Sequence, residues 1–312
     1  MKLKMLTYAM LTTGTLNTRW DDVIIDQETK ELMQQFVASH RLRFDCESEF
    51  LRQALRIRGA LLYGPPGTGK TELSRAVATA SGSRMLAISS ASVISGWAGE
   101  SEKYIEAAFT LAGKLHPCVL FIDEVDSLFY RRSSSDKSLE RSLLNQFLHQ
   151  MDGITQNDKA PLVLVATNRP WDLDDAFPRR LQHKVHLGLP DIEARARILR
   201  LFLHQGDLDP TVDINGLAQV TEKYSGSDLK TLCAKAGLLW EAEQARLHTL
   251  YKSVSDKFAI ATKAPKKVQL GIDHFVKALD EIQPSNNDGP AEDLHKFLRK
   301  HNPTTSISGK VS

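Results

Sequence analysis

The chain has 312 residues, 42% of them hydrophobic and 25% charged, and 40 basic against 38 acidic side chains leave a net charge of +2. This composition excludes a disordered chain, and a charge so near zero gives no electrostatic reason to expect nucleic acid or an anionic membrane as partner. Cys46, Cys118 and Cys233 lie far apart without CxxC spacing, so neither a disulfide framework nor a zinc site is expected and a reducing, cytoplasmic compartment fits.

Residues 1–18 read as a short N-terminal extension. Lys2 and Lys4 stand among apolar residues there, but Met1 to Leu11 lacks the long apolar core and cleavage site of a signal peptide. Glu28 to His40 places Leu32, Met33, Phe36 and Val37 at helical spacing, and Phe50 to Ile57 repeats the pattern. From Ala60 short apolar runs alternate with longer amphipathic stretches: Ala60 to Tyr63, Thr71 to Ser81, Arg84 to Ser89, Glu102 to Leu115, Val119 to Ile122, Leu139 to Met151 and Leu162 to Ala166. That alternation predicts a parallel sheet covered by helices over residues 19–189, with His183 to Leu187 as a last strand. Beyond Pro190 the strand signals stop. Ile192 to Leu203, Ile214 to Thr221, Gly226 to Leu250 and Ile272 to Ile282 predict a small all-helical domain over 190–285, followed by a tail over 286–312. None of the apolar runs approaches the roughly 18 residues that a membrane helix needs.

The run Gly64-Pro65-Pro66-Gly67-Thr68-Gly69-Lys70-Thr71 follows the first of these strands and opens a helix. Its glycines let backbone amides turn inward around an anionic triphosphate at the helix N-terminus. Lys70 then reaches the terminal phosphates of ATP, and the Thr71 hydroxyl serves Mg2+. The apolar run Cys118 to Ile122 closes on Asp123-Glu124, two acids with different work: Asp123 would hold Mg2+ through water, and Glu124 would orient and polarise the water that attacks the terminal phosphate. Leu162 to Ala166 closes on Thr167-Asn168, where the Asn168 amide would hold that water from a neighbouring strand end. Asp174-Asp175-Ala176-Phe177-Pro178 leads into Arg179-Arg180, a guanidinium pair able to neutralise charge on a transferred phosphoryl group, or else a surface pair held in salt bridges.

The ordered set GPPGTGKT, VLFIDEVDSL, VATNRP, LDDAFPRRL and YSGSDLKTL resembles the AAA family of ATPases, in the branch containing katanin, spastin, fidgetin, Vps4 and Msp1, over roughly Trp20 to Ser285. The resemblance implies a P-loop AAA+ α/β domain with a helical lid. It also implies a ring, usually a homo-hexamer, in which Arg179 and Arg180 reach the nucleotide of the neighbouring protomer. Gly226 and Ser227 would approach the nucleotide from the lid, and Asp22 to Ile25 would hold adenine by its backbone. Ser95 to Lys103 resembles the first pore loop, in which Trp97 and Ala98 would grip an extended polypeptide, and Arg131 to Asp136 falls where the second pore loop would be. Asp293 to Arg299 would add a terminal helix that braces the next protomer. The expected activity is ATP hydrolysis coupled to remodelling, unfolding or extraction of a protein substrate. A nucleic-acid remodeller or loader shares the P-loop, the acid pair and the arginines, but calls for basic residues where Trp97 stands.

Overall fold

The computed structural model describes residues 18–45, 47–50, 59–93, 100–128, 137–153, 159–181, 183–204, 207–258 and 269–285. The expected helix at Phe50 to Ile57, Trp97 and Ala98, Arg131 to Asp136, and Asp293 to Arg299 fall wholly or mainly outside them. The chain forms two compact units, one of residues 1–65, 69–188 and 288–312 and the other of residues 66–68 and 189–287.

The first unit is built on five parallel strands: β1 (Gly59–Tyr63), β2 (Arg84–Ser89), β3 (Cys118–Asp123), β4 (Leu162–Thr167) and β5 (His183–His186), in the spatial order β2-β3-β4-β1-β5. β1 and β4 are buried at every position, which is why they read as unbroken apolar runs rather than alternating ones. Helices α1 (Gln27–Asp45) and α2 (Lys70–Ala80) cover one face through Met33, Phe36, Leu73 and Val77, packed on Ala60, Leu62, Phe121 and Leu164. Helices α3 (Glu100–Lys114) and α4 (Lys137–Gly153) cover the other through Ile105, Phe109, Phe147 and Met151, packed on Leu61, Leu120, Ile122 and Val165. The alternation of side chains along each strand therefore feeds two separate cores.

Parallel pairing in register brings the carboxyl ends of the strands to one edge, Tyr63 lying opposite both Thr167 and His186. β5 ends one residue earlier than expected, yet the Leu187 amide still donates to the Tyr63 carbonyl at 2.8 Å, so the pairing continues into the following chain.

The second unit consists of α5 (Ile192–Phe202), α6 (Ile214–Val220), α7 (Gly226–Phe258) and α8 (Ile272–Glu281). Asp191 caps α5 by accepting from the Ala194 amide, and Asp213 caps α6 by accepting from Asn215 and Gly216. α7 runs to Phe258, past the expected end at Leu250, because neither glycine nor proline interrupts the chain between those residues. Among the described residues no helix is long and apolar enough to cross a membrane.

Candidate active site at the strand ends

The P-loop leaves β1 at Gly64, whose φ of 141° and position against the segment that follows β5 both demand glycine: a Cβ there would lie 2.1 Å from the Leu187 carbonyl oxygen. Gly67, at φ 75°, is equally constrained within the second unit, where a Cβ would meet the Ser225 hydroxyl at 2.5 Å. The Gly67 carbonyl accepts a hydrogen bond from the Ser227 amide at 3.2 Å, beside Gly226 at the start of α7. Two of the sequence-selected residues, Gly67 and Ser227, are thus in direct contact. Pro66 and Gly67 are exposed, and Gly69 is the N-cap of α2.

Lys70 opens α2 and is buried, only 7% exposed. Its ammonium donates to the carbonyls of Gly64 and Pro65 at 2.9 and 2.6 Å, so the first turn of the loop is folded over the charge. Burial pushes the Lys70 pKa down to about 8, against the opposing pull of Asp123 and Asp126. Next to it the Thr71 hydroxyl donates to the Asp123 carboxylate at 3.1 Å, which joins α2 to the end of β3 across 52 residues of sequence.

Glu124 follows as an exposed residue with φ 52° and ψ 43°, a left-handed conformation that costs a non-glycine residue about 1–2 kcal/mol. Its amide donates to Asp123 Oδ1 at 2.9 Å, and its carbonyl accepts from the Ser127 amide and hydroxyl at 3.0 and 2.8 Å. The surroundings thus enforce the turn that sets Glu124 apart from the Asp123 it follows. Asn168 stands just past the end of β4 and its backbone N–H donates to Asp126 Oδ1 at 3.4 Å.

The residues present fit a magnesium triphosphate. A buried ammonium lies beside a glycine-rich turn, and a hydroxyl and a carboxylate already converge on each other. Among the described residues no cluster of three or more His, Cys, Asp or Glu could hold a metal by itself. Mg2+ is held by one or two protein groups together with substrate phosphates, and the Thr71 hydroxyl and Asp123 carboxylate are groups of that kind.

Arg179 and Arg180 end a short helix, Ala176–Arg180, whose Phe177 stacks on Phe147 of α4 at 4.8 Å between ring centroids. Arg180 is paired with Asp152 of the same helix α4, Nε to Oδ1 at 3.0 Å. Arg179 is exposed and has no polar partner among the described residues. The pair chosen as one unit from the sequence is therefore two unlike groups.

Three polar residues went unselected from the sequence. Asp126 accepts from the Thr167 hydroxyl at 2.7 Å and so bridges β3 and β4. Asp228, buried near the start of α7, accepts through Oδ2 from the amide and hydroxyl of Ser225 at 2.9 and 2.8 Å, and from those of Ser285 at 3.3 and 3.0 Å. The Tyr224 hydroxyl adds a 2.5 Å bond to the Ile282 carbonyl. Through these bonds Ser285 closes a latch onto the turn that contacts Gly67.

Known proteins resemble the chain in family and in fold. Residues 60–189 match the family described as "ATPase family associated with various cellular activities (AAA)". The human katanin p60 ATPase-containing A-like 1 protein is 38% identical over 285 residues, covering 89% of this chain and 56% of the human protein. Spastin of Anopheles gambiae is 40% identical over 228 residues, 72% of this chain and 27% of that one. The crystal structure of the FIGL-1 AAA domain in complex with ADP superposes with a TM-score of 0.72 at 28% identity, covering 96% of each chain. The chain spans about half the length of the katanin-like relatives it matches. It belongs to the AAA family of ATPases, in the branch that holds katanin, spastin and the fidgetin-like proteins.

Proposed function

We propose that this chain is one protomer of an ATP-hydrolysing ring that remodels, unfolds or extracts a protein substrate through a central pore. The observation that carries the hydrolytic half is the Thr71–Asp123 hydrogen bond beside the buried Lys70, which assembles groups from α2 and β3 around one point at the strand ends. In this reading Gly64 to Gly69 cradle the phosphates with their amides and Lys70 supplies the charge that faces them. Thr71 and Asp123 hold Mg2+, which when bound neutralises charge on the phosphates. Glu124 orients the attacking water and draws off its proton, and Asn168 fixes that water from the neighbouring strand end. Gly226 and Ser227 are further residues assigned to nucleotide binding.

The arginines complete the site from a second copy. Arg179, exposed and without an internal partner among the described residues, is the group available to an adjoining protomer, while Arg180 holds the turn through Asp152. A homo-hexamer gives every nucleotide such a neighbour. Trp97 and Ala98 serve as the pore loop, the indole supplying a broad apolar grip on an extended polypeptide. The large domain then spans 19–189, the lid 190–285 and the tail 286–312. Cys118 and Cys233 are buried free thiols, each pushed up to about 12 by burial, which suits a reducing intracellular setting.

The test compares ATPase stimulation by an unfolded polypeptide with stimulation by single-stranded DNA, in the parent and in Trp97→Ala. Stimulation by the polypeptide alone, lost in Trp97→Ala, is the expected result. Stimulation by DNA alone would replace this reading with the nucleic-acid one. Retained polypeptide stimulation in Trp97→Ala would remove the pore loop from it.

A further inference from the structure

The two residues assigned to the attacking water follow different strands, and among the described residues no bond of their own side chains sets the distance between them. Glu124 rides on the turn that leaves β3, and Asn168 on the chain that leaves β4. One side chain crosses that gap. Asp126, two residues beyond Glu124 in the short helical turn Val125–Ser127, accepts through a single oxygen, Oδ1, from the Thr167 hydroxyl at 2.7 Å and the backbone N–H of Asn168 at 3.4 Å. The Thr167 oxygen in turn accepts from the Arg169 amide at 3.0 Å, so its proton is directed to Asp126 and its lone pair to the chain beyond Asn168. Thr167 is 1% exposed, and Val125, beside Asp126, is fully buried in the core between the sheet and helices α3 and α4. The bridge thus has one end seated in the sheet and the other in a turn whose core side is already packed.

We infer that Asp126 and Thr167 are a positioning pair that fixes Glu124 and Asn168 relative to each other for hydrolysis. The inference rests on the roles proposed above for those two residues. The Glu124 turn is left-handed and held by Ser127 on its own side, and Val125 seats its core side, so Asp126 is what ties its polar side to the end of β4. Binding of the nucleotide draws on Lys70, Thr71 and the loop amides, none of which Asp126 bonds. The pair therefore acts on the rate of cleavage and leaves affinity nearly untouched. Asp126 also carries a negative charge that reaches Lys70, and this second effect has to be separated from positioning.

The experiment measures single-turnover hydrolysis and nucleotide affinity in the assembled protein for Asp126→Ala, Asp126→Asn, Thr167→Val, Thr167→Ser and the Asp126→Ala/Thr167→Val double variant, with Glu124→Gln as control. A misplacement of about 1 Å costs on the order of 100-fold in rate, so Asp126→Ala and Thr167→Val are each expected to lose roughly 10- to 100-fold in rate with affinity within about threefold of the parent. The double variant should be no slower than the worse single one, because both changes cut the same bridge. Thr167→Ser keeps the hydroxyl and Asp126→Asn keeps an acceptor oxygen without the charge; both should recover most of the rate. A merely structural role would lower the melting temperature in step with the rate and give no such rescue. Additive losses, rates near the parent's in both Asp126→Ala and Thr167→Val, or an Asp126→Asn as slow as Asp126→Ala beside an unaffected Thr167→Val would each overturn the inference. Normal turnover in Glu124→Gln would overturn the underlying reading instead, so the two failures are distinguishable.

Discussion

At the ends of β1, β3 and β4 the polar groups are tied to one another within the chain: Lys70 to the loop carbonyls, Thr71 to Asp123, Asp126 to Thr167 and Asn168. At Ala176–Arg180 the chain invests in the scaffold instead, stacking Phe177 on Phe147 and pairing Arg180 with Asp152, and presents Arg179 to solvent with no partner among the described residues. The polar groups of the first region satisfy one another, whereas the second leaves one guanidinium exposed without a polar partner among the described residues. The proposed site shared between protomers calls for this division, one half tied within the chain and the other presented by a neighbour, because electrostatic stabilisation is most effective where groups are already held in place.

The largest effect expected from breaking this comparison belongs to Arg179. An arginine supplied in trans is worth on the order of 10³-fold or more in turnover, so Arg179→Ala should be nearly inactive in steady-state ATPase assays while binding nucleotide normally. Mixing Arg179→Ala chains with Lys70→Ala chains should restore activity, because an intact P-loop of one then meets an intact arginine of the other. No recovery in mixed oligomers would place Arg179 in its own chain's site or outside the reaction. Glu124→Gln comes next, with a loss of roughly 10²- to 10⁴-fold in hydrolysis at unchanged ATP affinity. Unchanged turnover there would return the left-handed Glu124 turn to a purely structural role. Arg180→Ala should be mild by comparison. Its pair with Asp152 is exposed on both sides and worth about 0.2–1 kcal/mol, measured as a small drop in melting temperature beside a much smaller activity loss than Arg179→Ala. Equal losses in the two variants would erase the distinction between them.

The difference between the regions also explains how much was legible in the sequence. β1, β3 and β4 are apolar until the residues that close them, Gly64, Asp123 and Thr167-Asn168, so their place and the residues at their ends could be read directly. Thr71 and Asp123 were selectable one by one because each belongs to a recognisable run. Asp126 was not, because within Val125-Asp126-Ser127 it looks like any turn acid, and its partner is 41 residues away on another strand. Asp228 and Ser285 are separated by 57 residues and were missed for the same reason. Likewise Arg179 and Arg180 are chemically identical in sequence; only packing against α4 makes one a strut and leaves the other exposed. The end of α7 was misplaced because no stop signal follows Leu250, and helix ends without glycine or proline carry little local information.

The smallest effect belongs to the edge of the sheet, where β5 carries His183 and His186 beside β1. His183 packs edge-on against Phe36 at 5.4 Å and His186 lies against Tyr63 at 5.3 Å. Burial holds both below the ordinary imidazole value of 6.5; Lys184 adds to this for His183, while for His186 Lys70 adds and Asp26 opposes. The buried His186 Nε2 has no hydrogen-bond partner among the described residues, so a proton added there would find no acceptor. In the unfolded chain these imidazoles take up protons near 6.5 and in the folded chain only at lower pH. Below that value the unfolded state binds more protons, and stability falls as pH falls. The melting temperature should therefore decline between about pH 7 and pH 5.5, a window above the range in which ordinary carboxylates titrate. His186→Phe keeps a ring against Tyr63 and removes one of the two groups, so its decline over the same window should be shallower than the parent's. An equal decline in parent and variant would show that protonation at this edge is not what the fold resists, and that the unpaired Nε2 is satisfied by solvent.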